Sequence, residues 1–375
     1  MPLRAVLHDR KLRRLSAMRL DAPQRWPRVS VLVPAKDEED TLYAAVQSLL
    51  RVDYPELEII LINDRSTDRT GDVVDQLAEM DSRINTLHID ELPDGWLGKV
   101  HALHQGVKIS RGEWLLFTDA DIHFSPQILK QAIAYCLQYE KGFLALFPDF
   151  VNLRVLLGSA QAAFGVMLLS LLNFVKIADP MSKMAMGIGA FNLVKKEFID
   201  PQQGLEWLRM EVADDAGLGL MIKQRGANAE VLSGNDLLRV DWYPTVAAML
   251  DGVLQRLIMG ANYSLSLFLP ACAFVFFCLV APLGLSLTLA PQTALAWLCL
   301  GAYFVPSIAL LAGVKNIGIP RASMWGISIG YAIIVYGMLR SIVTCVRYGG
   351  VYWRGSFYAL KELRELQRVK MSIYF

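Results

Sequence analysis

The chain has 375 residues, 37 basic and 36 acidic, for a formal charge of +1. That balance excludes a binder of nucleic acid acting through bulk charge, and five cysteines with no metal-ligand or C-x-x-C spacing exclude a disulfide scaffold or a zinc ribbon. Hydrophobic residues make up 54%, unevenly spread: the first ~150 residues read as a soluble α/β chain, whereas charges almost vanish between Leu265 and Cys345.

In chain order, residues 1–28 form a basic N-terminal segment without an apolar core of signal-peptide length, so no cleaved signal is expected. Its Arg10, Lys11, Arg13 and Arg14 either meet anionic lipid or line a solvated helix. The run Val29–Val33 predicts a buried strand ending at Pro34, Lys36, Asp37 and Glu38, and "DTLYAAVQSLL" a helix capped by Asp40 or Thr41. A second strand, Leu57–Ile62, ends in Asn63 and Asp64. A helix, a strand in "NTLHID", a helix in "KVHALHQGVKIS" and a strand in "EWLLFTDAD" follow. This alternation predicts an α/β catalytic domain over 29–244, with a mainly parallel sheet covered by helices on both faces. Ligands of such sheets sit beyond the carboxyl ends of the strands. Its single cysteine, Cys136, suits a reducing compartment.

An apolar segment, 155–175, lies within that span, and an amphipathic helix is expected over 245–262, with Val246, Met249, Leu250, Val253, Leu257 and Ala261 on one face. Apolar runs at Ser266–Ala290, Thr293–Gly313 and Met324–Cys345 predict transmembrane helices within 263–346, each near the ~20 residues a bilayer requires. A basic tail, 347–375, ends the chain.

Four motifs carry chemistry. Asp119 and Asp121 close an apolar run, and residues two apart on a strand share a face. Two carboxylates so close repel unless a cation lies between them, and Mg²⁺ binds through one or two carboxylates plus substrate phosphates; the alternative is a solvated loop. Lys99 follows Gly98 where a helix begins, from where its ammonium can reach a phosphate. His101, His104 and His123 are read as structural. Asp214 and Asp215 stand at a helix N-terminus, where the dipole favours anions and a carboxylate either caps or serves as general base.

The stretches "PAKDEE", "INDRSTDRT", "GWLGK", "FTDAD" and "ADDAGLGLMIKQRG" occur in the order and approximate spacing of family 2 glycosyltransferases with the GT-A (nucleotide-diphospho-sugar transferase, Rossmann-like) fold. "GWLGK", the apolar tail and "YWRGSFY" resemble the hopene-associated and carotenoid group, with ceramide glucosyltransferases more distant. The resemblance implies that Pro34, Asp37 and Glu38 line the uracil or ribose pocket, Asp64 binds the base and Lys99 approaches the diphosphate. It further implies that Asp119 and Asp121 hold Mg²⁺ or Mn²⁺ and that Asp215, beside Asp214, deprotonates the acceptor. The family commonly has Asn where Asp37 stands and Asp where Asn63 stands. The Gln-x-x-Arg-Trp motif of processive relatives is present only as the fragments Gln255-Arg256 and Trp353-Arg354.

The expectation is therefore a multi-pass enzyme of the inner cell membrane with its catalytic domain cytoplasmic. It would move one hexose from a UDP-sugar to a polyisoprenoid-, hopanoid-, carotenoid- or ceramide-like lipid, and would bind no nucleic acid. The alternatives are a processive polysaccharide synthase and a non-catalytic membrane protein with a degenerate nucleotide-sugar domain. Because Asp121 and Asp215 must share one site, 155–175 is not expected to span but to lie in the interface or pack on the catalytic domain. Three crossings would then leave the basic tail on the far side, against the preference of Lys and Arg for the cytoplasm.

Overall fold

The computed structural model describes residues 2–151, 154–290, 293–314, 321–353 and 356–370. In chain order the elements are α1 (Pro2–Asp9), β1 (Val29–Ala35), α2 (Leu42–Leu50), β2 (Leu57–Asp64), α3 (Thr70–Met80), β3 (Ile84–Ile89), α4 (Gly98–Ile109), β4 (Trp114–Phe117) and β5 (Ile122–Phe124). Next come α5 (Ile128–Gln138), β6 (Phe143–Phe147), β7 (Asp149–Phe150), α6 (Val155–Leu171), α7 (Phe174–Ala178), β8 (Asn192–Lys195), α8 (Asp214–Gln224), β9 (Ala229–Ser233) and β10 (Leu238–Val240). The last are α9 (Val246–Asp251), α10 (Leu265–Val275), α11 (Ala281–Thr288), α12 (Ala294–Gly313), α13 (Ile327–Tyr348), β11 (Gly350–Trp353), β12 (Ser356–Ala359) and α14 (Leu360–Leu366).

The chain forms two compact units, one of residues 12–149 and 174–241, the other of residues up to 11, 150–173 and from 242 onward. The first unit is built on a seven-stranded sheet of order β3-β2-β1-β4-β8-β6-β9. β1 pairs parallel with β2 and β4, β2 with β3, and β6 with β9, while β8 runs antiparallel to both β4 and β6. The sheet is mainly parallel, as the alternation predicts. The strand order reverses about β1 and β4, which opens a crevice at their carboxyl ends. The near-continuous Val, Ile and Leu of β1 and β2 are buried on both faces. Ile60, Ile62, Ile89 and Ala102 form a core cluster between the sheet and α4.

Local expectations change in two places here. Thr41 is the N-cap of α2, but its hydroxyl donates to Glu38 Oε2 (2.8 Å) and caps no helix N–H. β4 stops at Phe117, so Asp119 and Asp121 sit in the bend before β5, which pairs antiparallel with β10 in a separate sheet. Their relative placement is therefore set by a turn and not by strand pleat. In the N-terminal segment Arg13, half-exposed, pairs with Glu230 (3.0 Å) and donates to Tyr135 Oη (2.7 Å).

In the second unit α6 packs along α13, and α1 packs on α6 and α12. The segment expected over 155–175 is a helix of 17 residues ending at Leu171, and it groups with the C-terminal helices and not with the sheet. Small residues permit this packing: a Cβ on Gly330 would lie 2.0 Å from the Ser159 carbonyl oxygen. The helix expected over 245–262 is broken. α9 ends at Gly252, where a Cβ would meet the Tyr243 ring, and Leu254–Ala261 continues as a 3₁₀ helix. Leu265–Thr288 (interrupted by one π turn at Phe276–Val280), Ala294–Ala312 and Ile327–Tyr348 are, among the described residues, long and apolar enough to cross a membrane. Arg354, in the closing Trp-Arg fragment, lies outside the described residues.

Candidate active site

The carboxyl end of β4, the turn before β8 and the N-terminal turns of α4 and α8 line one cleft. Lys99 enters it from the first turn of α4, and its side chain is 22% exposed. Its ammonium lies 2.7 Å from Asp119 Oδ1 and 3.0 Å from Asp214 Oδ2. One cation thus holds two carboxylates brought in by different elements, and they keep it protonated against the cost of burial. Asp119 remains 40% exposed on the cleft side. Asp121 is partly buried nearby in the chain.

Asp215 stands one residue on, inside the first turn of α8. Its Oδ1 accepts the Ala216 N–H (2.7 Å) and its Oδ2 the Gly189 N–H (3.1 Å). Burial first, then the neighbouring Asp214 charge, push its pKa up to about 6, with Lys99 acting in the opposite direction. A carboxyl raised into that range exchanges protons near neutral pH, as a general base must. The wall that carries Gly189 is pressed against both acids. A Cβ on Gly189 would come within 2.6 Å of Asp119 Oδ2, and one on Gly187 within 2.0 Å of the Asp215 carbonyl oxygen. Asn192 Oδ1 accepts the Ile188 N–H (2.8 Å) and fixes this turn. At the far end of α8 the Lys223 ammonium donates to the carbonyls of Ile177 (2.7 Å), Met184 (2.8 Å) and Lys176 (3.2 Å), so the same helix anchors the segment leading to the glycines.

The remaining sequence-derived residues form a second cluster, after β1 and β2. Asp37, at φ 54°, accepts the Thr67 N–H at Oδ1 (2.7 Å) and donates its own N–H to Ser66 Oγ (3.1 Å). The Glu38 N–H donates to Thr70 Oγ1 (2.7 Å). These bonds lock the β1 and β2 loops together beside Pro34. Asp64 is buried and gripped by Arg65 through Nε (2.7 Å) and Nη2 (3.0 Å), and Gly98 of α4 lies against both side chains. Asn63 is bonded to His88 Nδ1 (3.2 Å).

The histidines take structural roles. His104 Nδ1 accepts the Leu205 N–H (3.2 Å), and burial lowers its pKa to about 4, so it stays neutral. His101 and His104 both pack against Trp96. Among the described residues no group of three or more His, Cys, Asp or Glu side chains is placed to hold a metal ion.

Sequence reasoning did not find Gly187, Gly189, Asn192, Lys223 or Arg65. The pattern "MGIGAFN" before β8 was the available signal for the first three, since two glycines one residue apart at a strand entrance mark a close backbone approach.

Residues 30–200 match the family model for Glycosyl transferase family 2. The chain is 23% identical over 339 residues to 4,4'-diaponeurosporenoate glycosyltransferase of Staphylococcus aureus (strain MRSA252), with 89% of each covered. It is 30% identical over 145 residues to UDP-Glc:alpha-D-GlcNAc-diphosphoundecaprenol beta-1,3-glucosyltransferase WfaP of Escherichia coli, covering 37% of this chain and 55% of that one. Among solved structures it is similar to the mannosyltransferase PcManGT of Pyrobaculum calidifontis in complex with GDP-Man and Mn²⁺, with a TM-score of 0.53 and 16% identity over 92% of this chain and 94% of that one. At that identity the likeness is one of fold.

Proposed function

We propose that the chain is a family 2 glycosyltransferase, supported by the match of residues 30–200 to that family's model and by a GT-A-like fold, and that it transfers one hexose from a nucleotide sugar, a UDP-sugar, to a hydroxyl or carboxyl group of a membrane lipid, with inversion. The observation that carries the reading is the pair of acids at the start of α8. Asp215 has a raised pKa and two backbone donors aiming its carboxylate, and Asp214 is neutralised by Lys99. In the forward step Asp215 takes the acceptor proton, the acceptor oxygen attacks the anomeric carbon, and the nucleoside diphosphate leaves. Lys99 is the cation within reach of that diphosphate.

Asp119 and Asp121 would hold a divalent ion. They are two partly exposed carboxylates in one turn, and the donor's phosphate oxygens would complete the octahedral set that Mg²⁺ or Mn²⁺ takes. When bound, such an ion stabilises the charge gained by the leaving diphosphate. Pro34, Asp37, Glu38 and Asp64 would border the nucleoside.

A lipid acceptor is supported by the three bilayer-length helices and by the substrate named for the S. aureus relative. The WfaP relative is named for UDP-Glc and for a lipid-linked acceptor. The enzyme would sit in the inner cell membrane as a multi-pass protein with its catalytic domain cytoplasmic.

The test incubates the detergent-solubilised enzyme with UDP-Glc or GDP-Man, divalent metal and a bacterial lipid extract, and follows products by mass spectrometry. One hexose added to an apolar lipid with equimolar release of nucleoside diphosphate is expected. A ladder of hexose additions would establish a polymerising synthase instead, and absence of any transfer with every donor would refute the reading.

A further inference from the structure

The N-terminal helix presents two unlike faces. Towards the protein, Ala5, Val6, His8 and Asp9 are buried, α1 packs on α6 and α12, and His8 Nδ1 lies 2.8 Å from the Leu169 carbonyl oxygen. Away from it, Leu3 is 69% and Leu7 49% exposed. They stand four residues apart and so share one face. Arg4, Arg10 and Lys11 are exposed beside them.

Neither water nor hydrocarbon suits this surface. Two exposed leucines one turn apart lose favourable burial in water. Three cations at the depth of the acyl chains are costly, and α12, against which α1 packs, is one of the helices of bilayer length. The headgroup layer satisfies both requirements, because apolar side chains reach the upper acyl region while Arg and Lys remain among phosphates. The charges are all of one sign, so an anionic lipid is the complementary partner.

We propose that α1, with Arg10 and Lys11, is a docking site for anionic phospholipid, in which Leu3 and Leu7 enter the upper acyl layer and Arg4, Arg10 and Lys11 pair with headgroup phosphates. The proposal rests on the reading of α12 as a span. It assigns α1 a surface role separate from the catalytic cleft, since none of its residues lines that cleft.

The test uses the full chain. Cys278→Ser removes the exposed cysteine, and the other four are buried. Leu7→Cys then accepts an environment-sensitive fluorophore, and the protein is reconstituted into vesicles of phosphatidylcholine alone or with phosphatidylglycerol. Lipids brominated in the upper acyl chain should quench the label, at least about two-fold more strongly when phosphatidylglycerol is present. Reversing the charges (Arg4→Glu, Arg10→Glu, Lys11→Glu) should erase that gain, as should ~1 M salt, which shortens the screening length to about 3 Å. A label quenched by aqueous iodide but not by brominated lipid, in protein that floats with both kinds of vesicle, would overturn the proposal alone. Failure to float would overturn the spanning reading and the proposal with it. Protection of the label in detergent that grows with protein concentration would identify a second copy of the chain as the occupant, and would also overturn it.

Discussion

The two units differ in where their charged side chains cluster: in the sheet unit two carboxylates share one ammonium, as Asp119 and Asp214 share Lys99. In the helical unit some hydroxyls fold back on their own helix: Ser159, Ser170 and Ser307 each donate to the carbonyl four residues earlier, at 2.7, 2.7 and 2.9 Å, whereas Ser341 crosses to the Gln255 carbonyl (2.7 Å). The bonds within one helix satisfy a donor locally and link no two elements. In the sheet unit polar contacts cross long stretches of sequence, as Lys99 does to Asp119 and Asp214, and Gly189 to Asp215. The local pattern suits a lipid surround, where an unmet polar group is expensive and a charge more so. The long-range pattern builds a site, because it forces groups of like charge together and supplies the cation that makes the cluster tolerable. The candidate site lies in one unit, and the three helices of bilayer length lie in the other.

That contrast can be broken from either side. The largest effect is expected for Asp215→Asn, which removes the base and should lower transfer about 10²–10⁴-fold while leaving nucleotide affinity nearly unchanged, as titration calorimetry with UDP would read. An inactive Asp214→Asn beside an active Asp215→Asn would reassign the base. Asp121→Asn should reduce turnover at least about 10²-fold, near 2.7 kcal/mol of barrier, and excess EDTA should do the same; full activity in either case removes the metal from the scheme.

In the helical unit, Gly330→Val forces a side chain onto the Ser159 backbone. It should destabilise that unit by about 1–3 kcal/mol, seen as a lower thermal midpoint in detergent, without changing UDP affinity of the folded fraction. The smallest effect is expected at Leu287, which is 78% exposed. Leu287→Ser should alter stability in detergent by less than about 0.5 kcal/mol, and a larger loss would show that this face is covered by protein.

How much of this was legible in the sequence follows from the range of the interactions involved. Strands such as Leu57–Asp64 declare themselves through apolar runs that stop at acids: Asp64 closes β2 and Asp119 follows β4, while Asp215 stands at the helix start that the periodicity of α8 indicates. What was not legible depends on contacts between distant segments. The turn that takes Asp119 and Asp121 off the sheet exists because β5 pairs with β10, more than a hundred residues later. The Lys99 bridge requires α8 to meet α4, and periodicity carries no signal for that. The break at Gly252 reflects the Tyr243 ring, whose hydroxyl also accepts the Val253 N–H at 3.1 Å.

The most direct test of the central claim, that Asp215 is the base and Lys99 lowers its affinity for the proton, is the pH dependence of single-turnover transfer. Asp215 must be ionised to accept a proton, and its pKa is raised to about 6, so the rate should rise with pH through a single ionisation near 6 and level off above it. Lys99 favours the ionised form, so Lys99→Met should lower the plateau and move the midpoint to higher pH. A rate flat from about pH 5 to 8, or a midpoint unmoved in Lys99→Met, would contradict the assignment.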